Sequence, residues 1–408
     1  MAAERDCPRC DEALPLGESD CPYCAGRKKI PLYRRDPVVI TTVIVIAVAL
    51  WVVATLVTRA YAAHQQQLAD EWFKRGQSDL MAGRLDQAVR DLHTALSYSH
   101  DNFDYRLKLT DALSAGGHTR EARAYLLAMW DEDPGNGLVN LQLARQAAQA
   151  GDTPGAIRYF RGAAFGVWQD DPVENRRSAR IELVHFLLAH NLTQQAQSEL
   201  IGVAANLSPS ETTDMLQVGD LMMKAGDPRR ALTEYQNVLS LGRKNTDAVV
   251  GAGKAAFALQ MYPEARDLLR RAKAAGATDP QVSTELDQAE LVLEMDPYER
   301  GISAAERERR IVAAFNAAGT RLNQCAASRN VDLSNSSTTG PLSADNSDFK
   351  QIERSVTSAN LRRNPEQGDA AMDLVFRIER DTTAACGPGD RTDQALSLIA
   401  QRAGRLAP

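Results

Sequence analysis

Six alanines mark the same place in six successive stretches of the chain: Ala88, Ala122, Ala156, Ala196, Ala231 and Ala265, at steps of 34, 34, 40, 35 and 34 residues. Four residues after each stands a larger side chain: Leu92, Leu126, Phe160, Leu200, Tyr235 or Leu269. Seven after it comes Ala95, Met129, Ala163, Val203, Val238 or Ala272. Positions i, i+4 and i+7 share one face of an α-helix. Each stretch therefore predicts a helix that presses a small residue and then a large one onto a neighbour. Five residues before each marker stand Gly83, Gly117, Gly151, Asn191, Gly226 and Gln260, and Gly and Asn tolerate the left-handed conformation that ends a helix. Twelve before it are Gly76, Thr110, Ala144, Val184, Gly219 and Gly253, mostly small, where a preceding helix must approach closely. Each unit reads helix, turn, helix, and such units bury their faces only by stacking. Aromatic residues are only 6% of the chain, which suits close-packed helices better than sheets.

This pattern resembles the tetratricopeptide-repeat (TPR) family. Trp72 matches the family's early aromatic and Pro134 its closing proline. The fourth unit departs most, with Val184, Asn191 and a longer preceding linker through Asp170-Asp171-Pro172. The resemblance implies a mainly α fold over 66–280: an α-solenoid of about six helix-turn-helix repeats, wound as a right-handed superhelix with a concave groove. In the family, the column fifteen residues before the marker faces the groove or its edge. Here that column is Phe73, Leu107, Leu141, Ile181, Leu216 and Val250, all apolar. Three readings stay open. The column packs between helices, or the chain's own C-terminal region covers it, or it forms a stripe for a partner's amphipathic helix or extended peptide. One turn later come Gln77, Asp111, Arg145, His185, Asp220 and Lys254, of mixed sign, of which Arg145, His185 and Lys254 are candidate partner contacts. TPR modules that clamp C-terminal carboxylates concentrate Lys, Arg and Asn there. That set is missing, so the activity is not carried over.

Val38 to Thr58 contains no charge, Gly or Pro. As a helix this run rises ~30 Å, the thickness of the hydrocarbon core. It predicts a transmembrane helix over 37–59, against the alternatives of a buried soluble helix and a cleaved signal peptide ending near Ala60-Tyr61-Ala62. Arg27, Lys28, Lys29, Arg34 and Arg35 precede it, whereas only Arg59 stands on the far flank before Lys74. The positive-inside rule then puts the N-terminus in the cytoplasm and the repeats across the membrane.

Ahead of that segment lie Cys7-Pro8-Arg9-Cys10 and Cys21-Pro22-Tyr23-Cys24. Two residues between thiolates let both sulfurs of a tight turn face one ion, and two such turns complete a closed tetrahedral Zn²⁺ site. The N-terminal domain, 1–30, resembles the short zinc-ribbon family over roughly residues 5–26, although Asp11 and Ala25 stand where that family usually has glycine and Gly26 comes one residue late. Four thiolates leave no open position, so the resemblance implies a structural zinc that supplies most of the segment's folding energy. Cys325 and Cys386 are the remaining cysteines, expected to pair as a disulfide if their compartment is oxidising.

Enzyme signals are weak. The six histidines form no HExxH or other spaced ligand set. Gly251-Ala252-Gly253-Lys254 lacks the earlier Gly and the following Ser or Thr of a phosphate loop, and packing explains it better. With 47 basic and 53 acidic side chains the chain offers no general nucleic-acid face. Beyond the repeats, 281–408 reads as a helical cap. A helix runs from Ser303 to about Ala327 with a possible Ser303/Glu306 capping box, and a flexible loop covers 331–348. A short strand or helix follows over 372–378, then a last helix over 393–404. The expected function is a non-catalytic, membrane-anchored scaffold or adaptor that binds proteins or peptides in a bacterial envelope, with a periplasmic solenoid. The bacterial assignment is by analogy of domain arrangement. The alternatives are a transmembrane regulator that couples the solenoid to a cytoplasmic ribbon contact, and an accessory subunit, or a hidden site of an envelope enzyme in 299–408.

Overall fold

The computed structural model describes residues 37–242, 244–334 and 340–404, with residues 5–7, 10, 13, 14, 21 and 24 ahead of them. It divides into two compact parts, Met1–Leu126 and Leu127–Pro408.

In the first part, a two-residue strand β1 (Arg5–Asp6) pairs antiparallel with β2 (Ala13–Leu14). Helix α1 (Pro37–Met81) follows, 45 residues without a break. At 1.5 Å per residue it is about 66 Å long. The 37–59 segment and the first helix of the first repeat are therefore one element. Nothing from Val38 to Arg75 is Gly or Pro, so nothing interrupts the hydrogen-bond ladder. No side chain from Val38 to Val57 is buried, and Trp51 is 68% exposed. This half is long and apolar enough to cross a membrane. The other half packs on α2 (Leu85–Tyr98) and α3 (Phe103–Ala115), with Ala69, Ala88, Leu92, Leu109, Leu113 and Ala122 in one core. Helix α4 (Thr119–Glu132) carries the chain onward.

The second part continues with α5 (Gly137–Gln149), α6 (Thr153–Phe165), α7 (Pro172–Ala189), α8 (Thr193–Ala204), α9 (Thr212–Lys224), α10 (Pro228–Leu241), α11 (Thr246–Ala258) and α12 (Tyr262–Ala274). All six marker alanines, in both parts, are fully buried. All six turn positions are left-handed, from φ +57° at Asn191 to +81° at Gly117. Even Gln260, an uncommon residue there, sits at +60°. The fourth unit keeps the phase, with Leu200 as fully buried as Ala196. A Cβ on Gly253 would lie 2.8 Å from Leu269, and one on Gly219 the same distance from Tyr235. The small position twelve before the marker thus receives the large one four after it.

After α13 (Pro280–Met295) the chain folds into a bundle of α14 (Ala304–Ser328), α15 (Pro341–Ile352), α16 (Ser358–Arg363), α17 (Pro365–Cys386) and α18 (Arg391–Arg402). Phe315, stacked on Phe349 at 4.2 Å, joins Leu322, Met372, Val375, Leu396 and Ile399 in a core shared with Tyr262 and Val292. The last repeat is capped by this shared core. Three local expectations change. The 331–348 loop is in part helical, because Pro341 opens α15 and Leu342 and Phe349 have a core to join. Residues 335–339 lie outside the described residues. The 372–378 stretch is the middle of a 22-residue helix. Ser303 accepts the Glu306 N–H at 3.1 Å, but the Glu306 carboxylate turns to Arg309 and Arg310, so only half of the capping box forms. Those two guanidiniums, Arg309 first, hold the Glu306 carboxyl down at about 2.

Candidate functional site

Cys7 follows directly on β1, and the Cys10 N–H donates to the Cys7 carbonyl at 3.3 Å. The Cys24 N–H donates to the Cys21 carbonyl at 3.0 Å, so each pair closes its own turn. The four Sγ atoms lie within 4.8 Å of one another, with Cys10 and Cys21 at 3.6 Å. Tetrahedral zinc at 2.3 Å from each sulfur would space the sulfurs about 3.8 Å apart. These four cysteines could therefore hold a metal ion. Cys7 and Cys21 are buried, Cys24 is half-buried and Cys10 faces solvent. Asp11, Ala25 and Gly26 lie outside the described residues.

Leu107 and Leu141 of the apolar column are buried, whereas Phe73, Ile181, Leu216 and Val250 are half-buried. Phe73 stacks on Tyr105 at 4.5 Å. The Tyr105 hydroxyl donates to Asp70 and accepts from Gln66. Burial and the neighbouring Asp70 push that phenol up to about 12. This contact fixes the repeat end of α1 onto α3. No periodicity announces it, because Gln66, Asp70 and Tyr105 are ordinary helix-surface residues until two helices meet. Of the polar column, Arg145 pairs with Glu182 of the next unit, and Lys254 bonds Asp279 at 2.5 Å. His185 is exposed. Asp220 accepts the Tyr235 hydroxyl at 2.6 Å.

The Gly251-Lys254 stretch lies inside α11, and its glycines serve packing. A Cβ on Gly251 would stand 2.4 Å from the Tyr235 ring. Burial, then Asp220, drives the Tyr235 phenol above its ordinary range.

Two further features are not anticipated by the sequence pattern. The 40-residue step holds six extra residues, and the structure uses them to build a small platform. Val167 bridges in parallel with Asn136: its N–H donates to Gly135 at 2.8 Å and its carbonyl accepts from Gly137 at 2.9 Å. Trp168 fills the space over Gly137, and its Nε1–H donates to the Ala163 carbonyl at 2.9 Å. A tryptophan inside an over-long linker was the available signal. The second feature lies in the C-terminal bundle. Glu379 is 0% exposed and neither carboxylate oxygen has a hydrogen-bond partner among the described residues. Burial, with Asp393 nearby, raises its carboxyl to about 8. Close by, Cys325 and Cys386 are joined, with Cα atoms 5.8 Å apart, and tie the end of α14 to the end of α17.

The tetratricopeptide-repeat family model matches residues 79–145 and 222–284. The interval between, which contains the 40-residue step, lies outside both matches. The chain carries TPR repeats, and its fold is a TPR α-solenoid. Comparison with curated proteins gives no match. Among solved structures, the chain is similar to the type IV pilus biogenesis factor PilW. That likeness has 15% identity over 54% of this chain and 99% of PilW, with a TM-score of 0.35. The TPR2AB domain of yeast Sti1, solved in complex with pHSP90, aligns at 16% identity over 65% of this chain and 96% of that one, TM-score 0.29. PilF of Pseudomonas aeruginosa aligns at 14% identity over 57% and 83%, TM-score 0.28. These likenesses concern the fold.

Proposed function

We propose that this protein is a non-catalytic scaffold or adaptor, anchored in a bacterial inner membrane by the apolar half of α1. Its N-terminal cysteines would hold a structural zinc in the cytoplasm, and its repeats would bind protein or peptide partners in the periplasm. The observation that carries the reading is α1 itself. Seventeen exposed apolar side chains between Val38 and Val57, interrupted only by Thr41, Thr42 and Thr55, run into a helix that packs as the first member of the repeats. Exposed apolar area of that extent needs a lipid or protein cover. The basic cluster before Val38 supports the orientation.

Reporter fusions after Asp36 and after Gly404 are expected to report opposite compartments. A solenoid protected from protease in spheroplasts would defeat the assignment. Purified protein is expected to contain about one zinc per chain, and Cys10→Ser to lose most of it. Crosslinking in intact membranes, followed by mass spectrometry, is expected to return envelope proteins.

The continuity of α1 also favours the regulatory alternative. An uninterrupted helix would transmit a tilt or rotation of the repeats to the segment beyond the membrane. Recovery of cytoplasmic proteins as well as envelope proteins in the crosslinks would select that alternative.

A further inference from the structure

Among the described residues outside α1, six large apolar side chains are exposed; Ile201, Leu241 and Met261 stand apart, and the three most exposed lie together. Phe165, Val167 and Val173 are 66%, 65% and 68% exposed, and all three flank the six-residue insertion between the third and fourth repeats. In three of the other linkers between repeats an Asn side chain caps the next helix, Asn102, Asn136 and Asn245, and Asp279 does the same after the last repeat. Asp171, at the end of this insertion, is left-handed and caps nothing. Of these linkers this one alone is lengthened by six residues and carries exposed Phe and Val side chains.

Beside it lies a cleft of about 350 Å³ between the end of α6, the start of α7 and the end of α8. Its apolar walls include Phe165, Val173 and Val203, and its polar lining is Arg176, Arg177, Arg180 and Asn206. Three guanidiniums line the cleft and no carboxylate does. Arg177 is committed to the fold, through Glu211 and Asp214 at 2.6 Å each. Arg180 lies 4.6 Å over the Phe165 ring and 3.5 Å from Glu199. Arg176 differs. Its Nε–H donates to the Gly166 carbonyl at 2.8 Å, which fixes the side chain to the platform, while its two Nη groups have no protein partner among the described residues. One anchored guanidinium with free donors thus stands beside an apolar slot large enough for one or two side chains.

We propose that this cleft is a docking site for a peptide segment in which an aromatic or aliphatic side chain stands next to an Asp or Glu. The apolar side chain enters between Phe165 and Val173, and the carboxylate accepts from the Arg176 Nη donors, a charge-assisted bond that a neutral amide cannot match. The proposal rests on the adaptor reading and deepens it by naming a site outside the repeat columns.

The test uses full-length protein in detergent and fluorescence polarisation. One labelled peptide contains Asp-Glu-Leu-Phe-Glu-Asp, and its counterpart contains Asn-Gln-Leu-Phe-Gln-Asn. The acidic peptide is expected to bind roughly tenfold more tightly than the amide peptide. Arg176→Ala is expected to erase that preference. Phe165→Ser and Val173→Ser, at exposed positions, are each expected to weaken both peptides by roughly tenfold, and Met261→Ser, an exposed apolar residue elsewhere, to change neither. A preference that survives Arg176→Ala, or binding indifferent to both wall variants, overturns the site. Self-association of the wild-type chain that Phe165→Ser abolishes would assign the cleft to a second copy and overturn the peptide occupant. Crosslinked partners common to wild type and Phe165→Ser would sink the cleft alone, whereas loss of all partners from the wild type would sink the adaptor reading as well.

Discussion

Glu379 is expected to make the largest contribution to the pH response of the C-terminal bundle, with Asp345 and Asp393 acting in the same direction. It sits on α17 with no hydrogen-bond partner for either oxygen among the described residues. The charged groups that bear on it are Asp393 and Asp390 from the start of α18 and Arg321 from α14. Two of the three are like-charged, and Arg321 is itself drawn to Asp393 at 3.5 Å and to the Gly387 carbonyl at 2.6 Å. Ionising Glu379 in the folded bundle therefore costs desolvation with little return. Its carboxyl rises from the ordinary 4.5 to about 8. Between those values the folded state holds a proton that the unfolded chain has released, so stability falls as pH rises. The slope is about 1.4 kcal/mol per pH unit, and the full span amounts to about 5 kcal/mol. Below pH 4.5 this penalty is absent, and above pH 8 it is complete.

The assay is hydrogen exchange of α17 and α18 amides in the full-length protein, corrected for the intrinsic pH dependence of exchange. Wild-type opening free energy is expected to drop steadily from pH 5 to pH 8. Glu379→Gln keeps the shape without the charge. Its slope should be much shallower, leaving the milder, same-signed contribution of Asp393, whose carboxyl burial also raises. At pH 8 the variant should exceed wild type by about 4 kcal/mol. Parallel slopes in the two proteins, or a wild-type bundle more stable at pH 8 than at pH 5, would refute the reasoning.

Three further outcomes are expected. Gly251→Ala puts a methyl against the Tyr235 ring; overpacking of about 1–3 kcal/mol should outweigh the ~1 kcal/mol helix-propensity gain, and thermal unfolding should show a lower midpoint. Ala62→Pro, in the exposed stretch of α1, should leave solenoid unfolding unchanged yet broaden a spin-label distance between residues 58 and 75, which lies near about 26 Å in an unbroken helix. In protein extracted without reductant, Cys325 and Cys386 should resist thiol labelling. Reducing their cross-link, 61 residues apart in sequence, should lower bundle stability by about 4 kcal/mol in the chain-entropy model. Free labelling of both would argue against an oxidising compartment.

The repeats were legible because their signal is local. A buried alanine, a large residue one turn on and a left-handed turn five residues back recur whatever the units are packed against. That is why even Gln260, a poor residue for the turn, was placed correctly by phase alone. The four N-terminal cysteines were legible for the same reason: spacing within a turn decides where two sulfurs point. Features that depend on which helices meet were not legible. Residues 341–348 read as part of a flexible loop because α15 offers only a few apolar residues to its core, among them Leu342 and Phe349. The Tyr105–Asp70 bond and the partnerless Glu379 leave no periodic trace.

The apolar column separates positions that are equivalent in sequence into occupied and open ones. In the structure Phe73 is engaged with Tyr105, and Leu107 and Leu141 are buried. In the neighbouring polar column Arg145 and Lys254 pair with Glu182 and Asp279. A regular repeat surface tends to satisfy itself in this way, because every unit presents the same face to the next. Where the 34-residue step becomes 40, the fourth unit keeps its phase and the six extra residues are added at the linker. Phe165, Val167 and Val173 are left in solvent, and Arg176 keeps unused donors. A break in periodicity is thus where a solenoid can keep a surface that its own repeats do not complete, and partner chemistry in this chain is best sought there first.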